Sequence, residues 1–222
     1  MQNTSEVCGD SVTEIRLQDK WIDYPFSKIK EIIDTSKESV EEEYNKYVIN
    51  VPQLDYKSLI SIYNDKRSKM NRIGSDRNAI SKIWFKNNPS QVLQLKKNLT
   101  NFFRNINSVK THECLWTTYE DARNVVKTKG YIKSYVHPNE PISDKYYHVQ
   151  TIAYICNQFY SGTKNTSYYN LTEDQYALTN LMKFLWRSAL SQGKEINIYI
   201  PSSRMRKLLE NWIDEQCKNT ES

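Results

Sequence analysis

Glycine is scarce in this chain: 222 residues contain five. A phosphate-cradling loop needs several residues without Cβ atoms close together, and neither G-x-x-x-x-G-K-[ST] nor G-x-G-x-x-G is present. Nucleotide hydrolysis of the P-loop kind is therefore not expected. Cysteine and histidine are as sparse. Cys8, Cys114, Cys156 and Cys217 lie far apart, form no C-x-x-C pair and share the chain with three histidines. Neither a zinc site nor a disulfide framework is expected from such spacing. There is no G-x-S-x-G, no H-E-x-x-H and no carboxylate cluster with two-metal spacing. No catalytic residue, metal ligand or cofactor site is predicted. No apolar run approaches the roughly 18 residues of a membrane span, and the amino terminus has no apolar signal region. The expected setting is the cytoplasm.

What the chain does have is an uneven distribution of charge. Its net charge is only +5, with 38% hydrophobic and 26% charged residues. Yet residues 1–56 hold 6 Lys/Arg against 12 Asp/Glu, residues 57–110 hold 12 against 2, and the remainder holds 13 against 12. An acidic leader followed by a strongly basic block points to a polyanionic partner more than the overall charge does. The domain reading follows these boundaries. Residues 1–54 form an acidic, partly disordered leader with short helices near 27–34 and 37–47, 55–110 a basic helical module, 111–217 an α/β region and 218–222 a tail.

Periodicity fills in the elements. The basic block reads as three helices, 55–72, 76–87 and 89–106. In the second, Ile80, Ile83 and Trp84 share one stripe; in the third, Val92, Leu95, Leu99, Phe102, Phe103 and Ile106 recur with a period near 3.6. After residue 110 the pattern alternates. A helix closed by Gly130 precedes a strand at 131–136, and 143–159 reads as a helix or a helix–strand mixture. Thr172 and Gln175 form a capping box that opens a helix stopped by Gly193. A strand at 195–200 ends at Pro201, and a last helix places Met205, Leu208, Leu209 and Trp212 inward. The fold class is mixed but predominantly α: a basic three-helix N-terminal part followed by a small α/β part.

The chemistry predicted for these elements is phosphate binding. Lys66, Arg67, Lys69, Arg72, Arg77, Lys82, Lys86, Lys96 and Lys97 lie on the basic block. Arg204 and Arg206, in Ser-Ser-Arg-Met-Arg after the last strand, add two guanidinium groups beside free helix N–H donors.

Five segments carry a resemblance: LWTTYED (115–121), KGYIKSYV (129–136), TIAYICNQF (151–159), YALTNLMKFLWRSAL (176–190) and INIYIPSSRMRKLLENWI (196–213). Together they resemble the carboxy-terminal portion of DEAD/DEAH-type helicase-like proteins of phages and mobile elements, over about 55–215. The resemblance implies that the α/β part is a RecA-like fragment in a bacterial or phage-infected cell. It also implies that Arg187 is the arginine reaching a γ-phosphate, here in trans. Lys183 and Ser191 stand where that pattern expects a glutamine and a second arginine, so the motor reading is eroded.

The function expected is non-catalytic nucleic-acid binding in replication, recombination or transcription control, with DNA favoured over RNA. The alternative is a protein–protein accessory or inhibitor module acting on a host enzyme through a tyrosine-rich surface. Neither involves a membrane.

Overall fold

The computed structural model describes residues 54–64, 69–138, 140, 143–159 and 172–220. The expected leader up to residue 53, with its two short helices, lies outside these residues, as do Lys66 and Arg67. A four-stranded, wholly parallel sheet organises the rest, with helices on both faces. Its strands are β1 (Ile60–Ile62), β2 (Cys114–Thr118), β3 (Thr151–Ile155) and β4 (Ile196–Tyr199), in the spatial order β1-β4-β3-β2. β2 and β3 are buried at every position, as parallel strands covered on both faces must be, and their sequences CLWTT and TIAYI carry no charge.

Alternate strand residues feed two cores. Ile152, Tyr154, Ile196 and Ile198 face one layer: α1 (Tyr56–Leu59), α5 (Glu173–Leu185) and α6 (Ser203–Thr220). Trp116, Ala153, Ile155 and Tyr199 face the other, made by α2 (Lys82–Asn87), α3 (Pro89–Asn101) and α4 (Glu120–Val126). In α3 and the π-turn that extends it (Phe102–Ile106), Asn98, Thr100, Asn101 and Asn105 are poor helix formers. Each costs up to about 0.7 kcal/mol against alanine. Buried Leu95, Leu99, Phe102 and Phe103 contribute roughly 1.5–3 kcal/mol apiece, so packing decides.

Several elements differ from the sequence reading. The helix expected over 55–72 is one turn, capped by Asp55, that passes directly into β1. The strand wins because Ile60 and Ile62 meet Ile196 and Ile198 in register, and tertiary pairing overrides a short helical pattern. The basic block thus supplies a strand to the same sheet as the α/β region. The second helix starts at Lys82, not 76, because Ser81 caps it by accepting from Trp84 N. Ile80 therefore lies before the helix, left-handed at φ 62, and shares no helical stripe with Ile83: Ile80 and Phe85 are buried, whereas Ile83 is 71% exposed. At the end of the third, Ile106 is exposed. The strand expected at 131–136 is a 3-10 turn (Ile132–Ser134) followed by one parallel bridge, Tyr135 to Trp116, at the sheet edge. Residues 143–159 give a 3-10 turn and β3. Helix α4 ends at Val126, before Gly130. The capping box and the inward Met205, Leu209 and Trp212 are as expected, with Leu208 half-buried, but the helix that the box opens ends at Leu185, and the left-handed Gly193 closes a separate 3-10 turn (Ala189–Gln192). Among the described residues no helix is long and apolar enough to cross a membrane.

Buried acids give the fold a sensitivity to alkali. Burial raises the hydroxyls of Tyr56, Tyr119, Tyr154 and Tyr199, and of Tyr135 with help from Glu120. It pushes the Cys114 thiol up to about 11 and raises Cys156. Unfolded thiols and phenols ionise near 9.0 and 10.0 while the folded ones hold their protons. Stability is therefore full below about pH 9 and falls above it. Burial has the opposite sign for Lys183, lowered to about 8, and Arg187, lowered to about 10, but the raised acids outnumber these two. Urea unfolding at pH 8 and at pH 10.5 should show a lower midpoint at the higher pH. Absorbance at 295 nm should show the buried tyrosines ionising only as the fold is lost.

Candidate functional site

In an open parallel sheet the carboxyl ends of the strands leave a crevice that loops can line. Here a cleft of about 730 Å³ opens there, beyond β2 and β3. Its aromatic walls are Trp84 on α2, Tyr119 directly after β2, Phe159 after β3 and Tyr176 on α5. Between these rings stand the amides of Asn78, Asn87, Asn88 and Gln158, and among the described residues Lys82 is the one charged residue of the lining. The space lies within the usual range for small-ligand sites, roughly 300–1,000 Å³.

Trp84 is held from both ends of its helix. Its N–H donates to Ser81 Oγ at 3.3 Å, and its carbonyl accepts from Asn88 Nδ2 at 3.0 Å. Its ring packs edge-on against Phe85 at 5.3 Å, and Phe85 in turn against Tyr119 at 6.2 Å. The Tyr119 hydroxyl donates to Asn157 O at 2.5 Å, which turns the phenol's polar end away from the open space.

Asn157, fully buried at the end of β3, organises the floor. Its Nδ2 donates to Arg77 O at 2.7 Å and Ala79 O at 2.8 Å, and its N–H to Ile80 O at 3.0 Å. These bonds fasten the 75–81 loop over the strand end. Ile80 is left-handed there, with φ 62, a conformation strained for a β-branched residue. Such strain persists only where surrounding contacts over-determine it, and it gathers at functional sites. Asn157 Oδ1 accepts from Arg204 Nη1 at 3.1 Å. Arg204 also donates to Gln158 O, pairs with Asp174 at 2.5 Å and Glu173 at 3.3 Å, and covers the Phe159 ring at 4.7 Å. It braces α5, α6 and β3 together.

Comparison with known proteins places this architecture. Residues 54–213 match the family model of the YonV C-terminal Rossmann-like domain. The chain belongs to that family. A relative is the SPbeta prophage-derived uncharacterized protein YonV of Bacillus subtilis (strain 168), 36% identical over 151 residues. That match covers 66% of this chain and 37% of the relative. No solved structure matches.

Within this YonV-type domain the sequence-predicted cations divide into two groups. Lys69, Arg72, Lys86 and Lys97 are exposed, Lys96 is half-buried, and none has a salt bridge among the described residues. Arg77 pairs weakly with Glu173 at 3.8 Å, and Lys82 with Asp121 at 3.3 Å, both cations being largely solvated. Arg204 and Arg206 are engaged internally, the latter donating to Ile200 O and Pro201 O. Arg187 is 3% exposed, and its Nη2 donates to Pro138 O and Glu140 O. A guanidinium so placed meets a partner's nucleotide only if the 137–140 turn moves aside. Among the described residues no group of three or more His, Cys, Asp or Glu could hold a metal ion. The sequence reading missed Tyr119, Asn157, Gln158 and Phe159 as site residues and assigned Trp84 to the core. The available signal was position, since these four lie just beyond the ends of two apolar strands.

Proposed function

We propose that this YonV-type domain binds nucleic acid without catalysing a reaction on it. The observation that carries the reading is the helical layer covering β2 and β3. Over residues 69–110 it presents nine Lys/Arg against one acid, Asp76. Of these cations Lys69, Arg72, Lys86, Lys96, Lys97, Arg104 and Lys110 have no salt bridge among the described residues. Cations without carboxylate partners are available to phosphates, and releasing the counterions of a nucleic acid is what drives such association. Helicase-type descent fits this reading as a parallel-sheet domain that holds a strand without a nucleotide loop of its own.

A salt series of fluorescence-anisotropy titrations with DNA and RNA oligonucleotides tests it. Binding should tighten steeply as salt falls. Lys86→Glu/Lys97→Glu alters two exposed, unpaired positions, so the fold should persist. It should weaken binding about tenfold or more and reduce the slope of log K against log salt by about 2, one unit per lost phosphate contact. Absence of binding at low salt, or indifference to the double reversal, would sink the proposal and turn attention to a protein partner.

A further inference from the structure

Resting on that reading, we infer that the cleft beyond β2 and β3 takes one unpaired base of a single strand, with its flanking phosphates on the basic helical layer. Three features select this ligand. First, the walls provide flat aromatic surface from Trp84, Tyr119, Phe159 and Tyr176, and a base offers a flat π-face to stack on it. Second, amides make up most of the polar lining: Asn78, Asn87, Asn88 and Gln158, beside Ser81 and Lys82. An amide presents a donor and an acceptor side by side, which suits the edge of a neutral heterocycle better than an anion or a cation. Third, Lys82, the single lining cation among the described residues, stands on the same helix as Lys86, so positive charge runs out of the cleft along α2 instead of converging inside it. A mononucleotide's phosphate cluster would need convergent charge. A strand needs charge spread along its path. A paired base cannot enter, because its edge and both its faces are already occupied in a duplex.

The test compares three probes with the same number of phosphates on the full chain at one salt concentration: a single-stranded DNA, the same strand made wholly abasic, and a duplex of half the length. Each is titrated against wild type, Trp84→Ala and Trp84→Phe, with circular dichroism confirming the fold. The wild type should hold the normal single strand about tenfold tighter than the abasic one, the order expected of one stacked base. Trp84→Ala should erase that difference, leave abasic binding unchanged, and be largely rescued by Trp84→Phe. Equal binding of normal and abasic strands, or of single strand and duplex, would overturn the base site while leaving phosphate binding standing. Failure of every probe to bind would overturn both.

Discussion

Gly74→Ala is expected to destabilise the fold by about 3 kcal/mol or more, at or beyond the upper end of what overpacking normally costs. A Cβ built at Gly74 would stand 1.8 Å from Pro201 O, 2.4 Å from Pro201 C and 2.9 Å from Ser202 N. All three atoms are backbone, so no rotamer change can relieve the contact. Either the 3-10 turn Asn71–Gly74 or the β4–α6 connection must move. The connection is tied down where Arg206 donates to the carbonyls of Ile200 and Pro201. Ser203 Oγ donates across to Ser75 O at 3.0 Å. Movement of either segment loses these bonds as well. Gly193→Ala is the natural comparison. Gly193 is left-handed at φ 64 but has nothing within 4 Å of its would-be Cβ, so only the conformational cost of about 1–2 kcal/mol applies. Urea unfolding of the two variants should rank them clearly, Gly74→Ala the lower.

The second large effect is at Asn157. Asn157→Leu keeps the volume roughly constant and removes all three side-chain hydrogen bonds. The Arg77 and Ala79 carbonyls lose their donor and Arg204 loses one acceptor. An abandoned buried polar group costs about 1–3 kcal/mol, so a total near 3–5 kcal/mol is expected, with Arg204's remaining partners limiting the loss on that side. The consequence is also local. Ile80 is held left-handed by its neighbours, and with the 77 and 79 carbonyls released the loop should relax out of that conformation. Hydrogen exchange should then accelerate at residues 75–81 and at Trp84 more than in α6. Uniform acceleration across the chain would mean that Asn157 stabilises the whole sheet and not this loop.

These two positions also show what was readable beforehand. Helices α3, α5 and α6 were legible because their signals are local: a 3.6-residue stripe and the Thr172/Gln175 box, although α5 ends at Leu185 and Gly193 closes a separate 3-10 turn. β4 was legible as an apolar run closed by proline. β1 was not, since three residues become a strand only through a partner near the far end of the chain. Ile83 pointed the wrong way on paper because Ile80, counted with it as one stripe, lies outside the helix that Ser81 caps. The charge of the basic block was plain in the sequence, but charge says nothing of pairing. Hence Arg204 and Arg206 looked available and prove to be internal braces. The cleft could not be read at all, because α2, α5 and the ends of two strands each supply part of its wall. Glycine scarcity, read as the absence of a phosphate loop, gave no hint that Gly74 is required for close packing.

The spatial order of the strands bears finally on how the protein is made. β1 is the first of the four strands to be made, yet the strand it must pair with, β4, is the last of them. At roughly 5–20 residues per second, β1 waits on the order of ten seconds with its amides unpaired. Until β4 arrives, Met70 O lacks the Tyr199 hydroxyl that donates to it at 3.1 Å, and Gly74 has no Pro201 to rest on. A transcript truncated before residue 196 should therefore yield a product that exposes an incomplete sheet edge and is cleared or aggregates. The nascent chain cannot complete its sheet one strand at a time from the amino end.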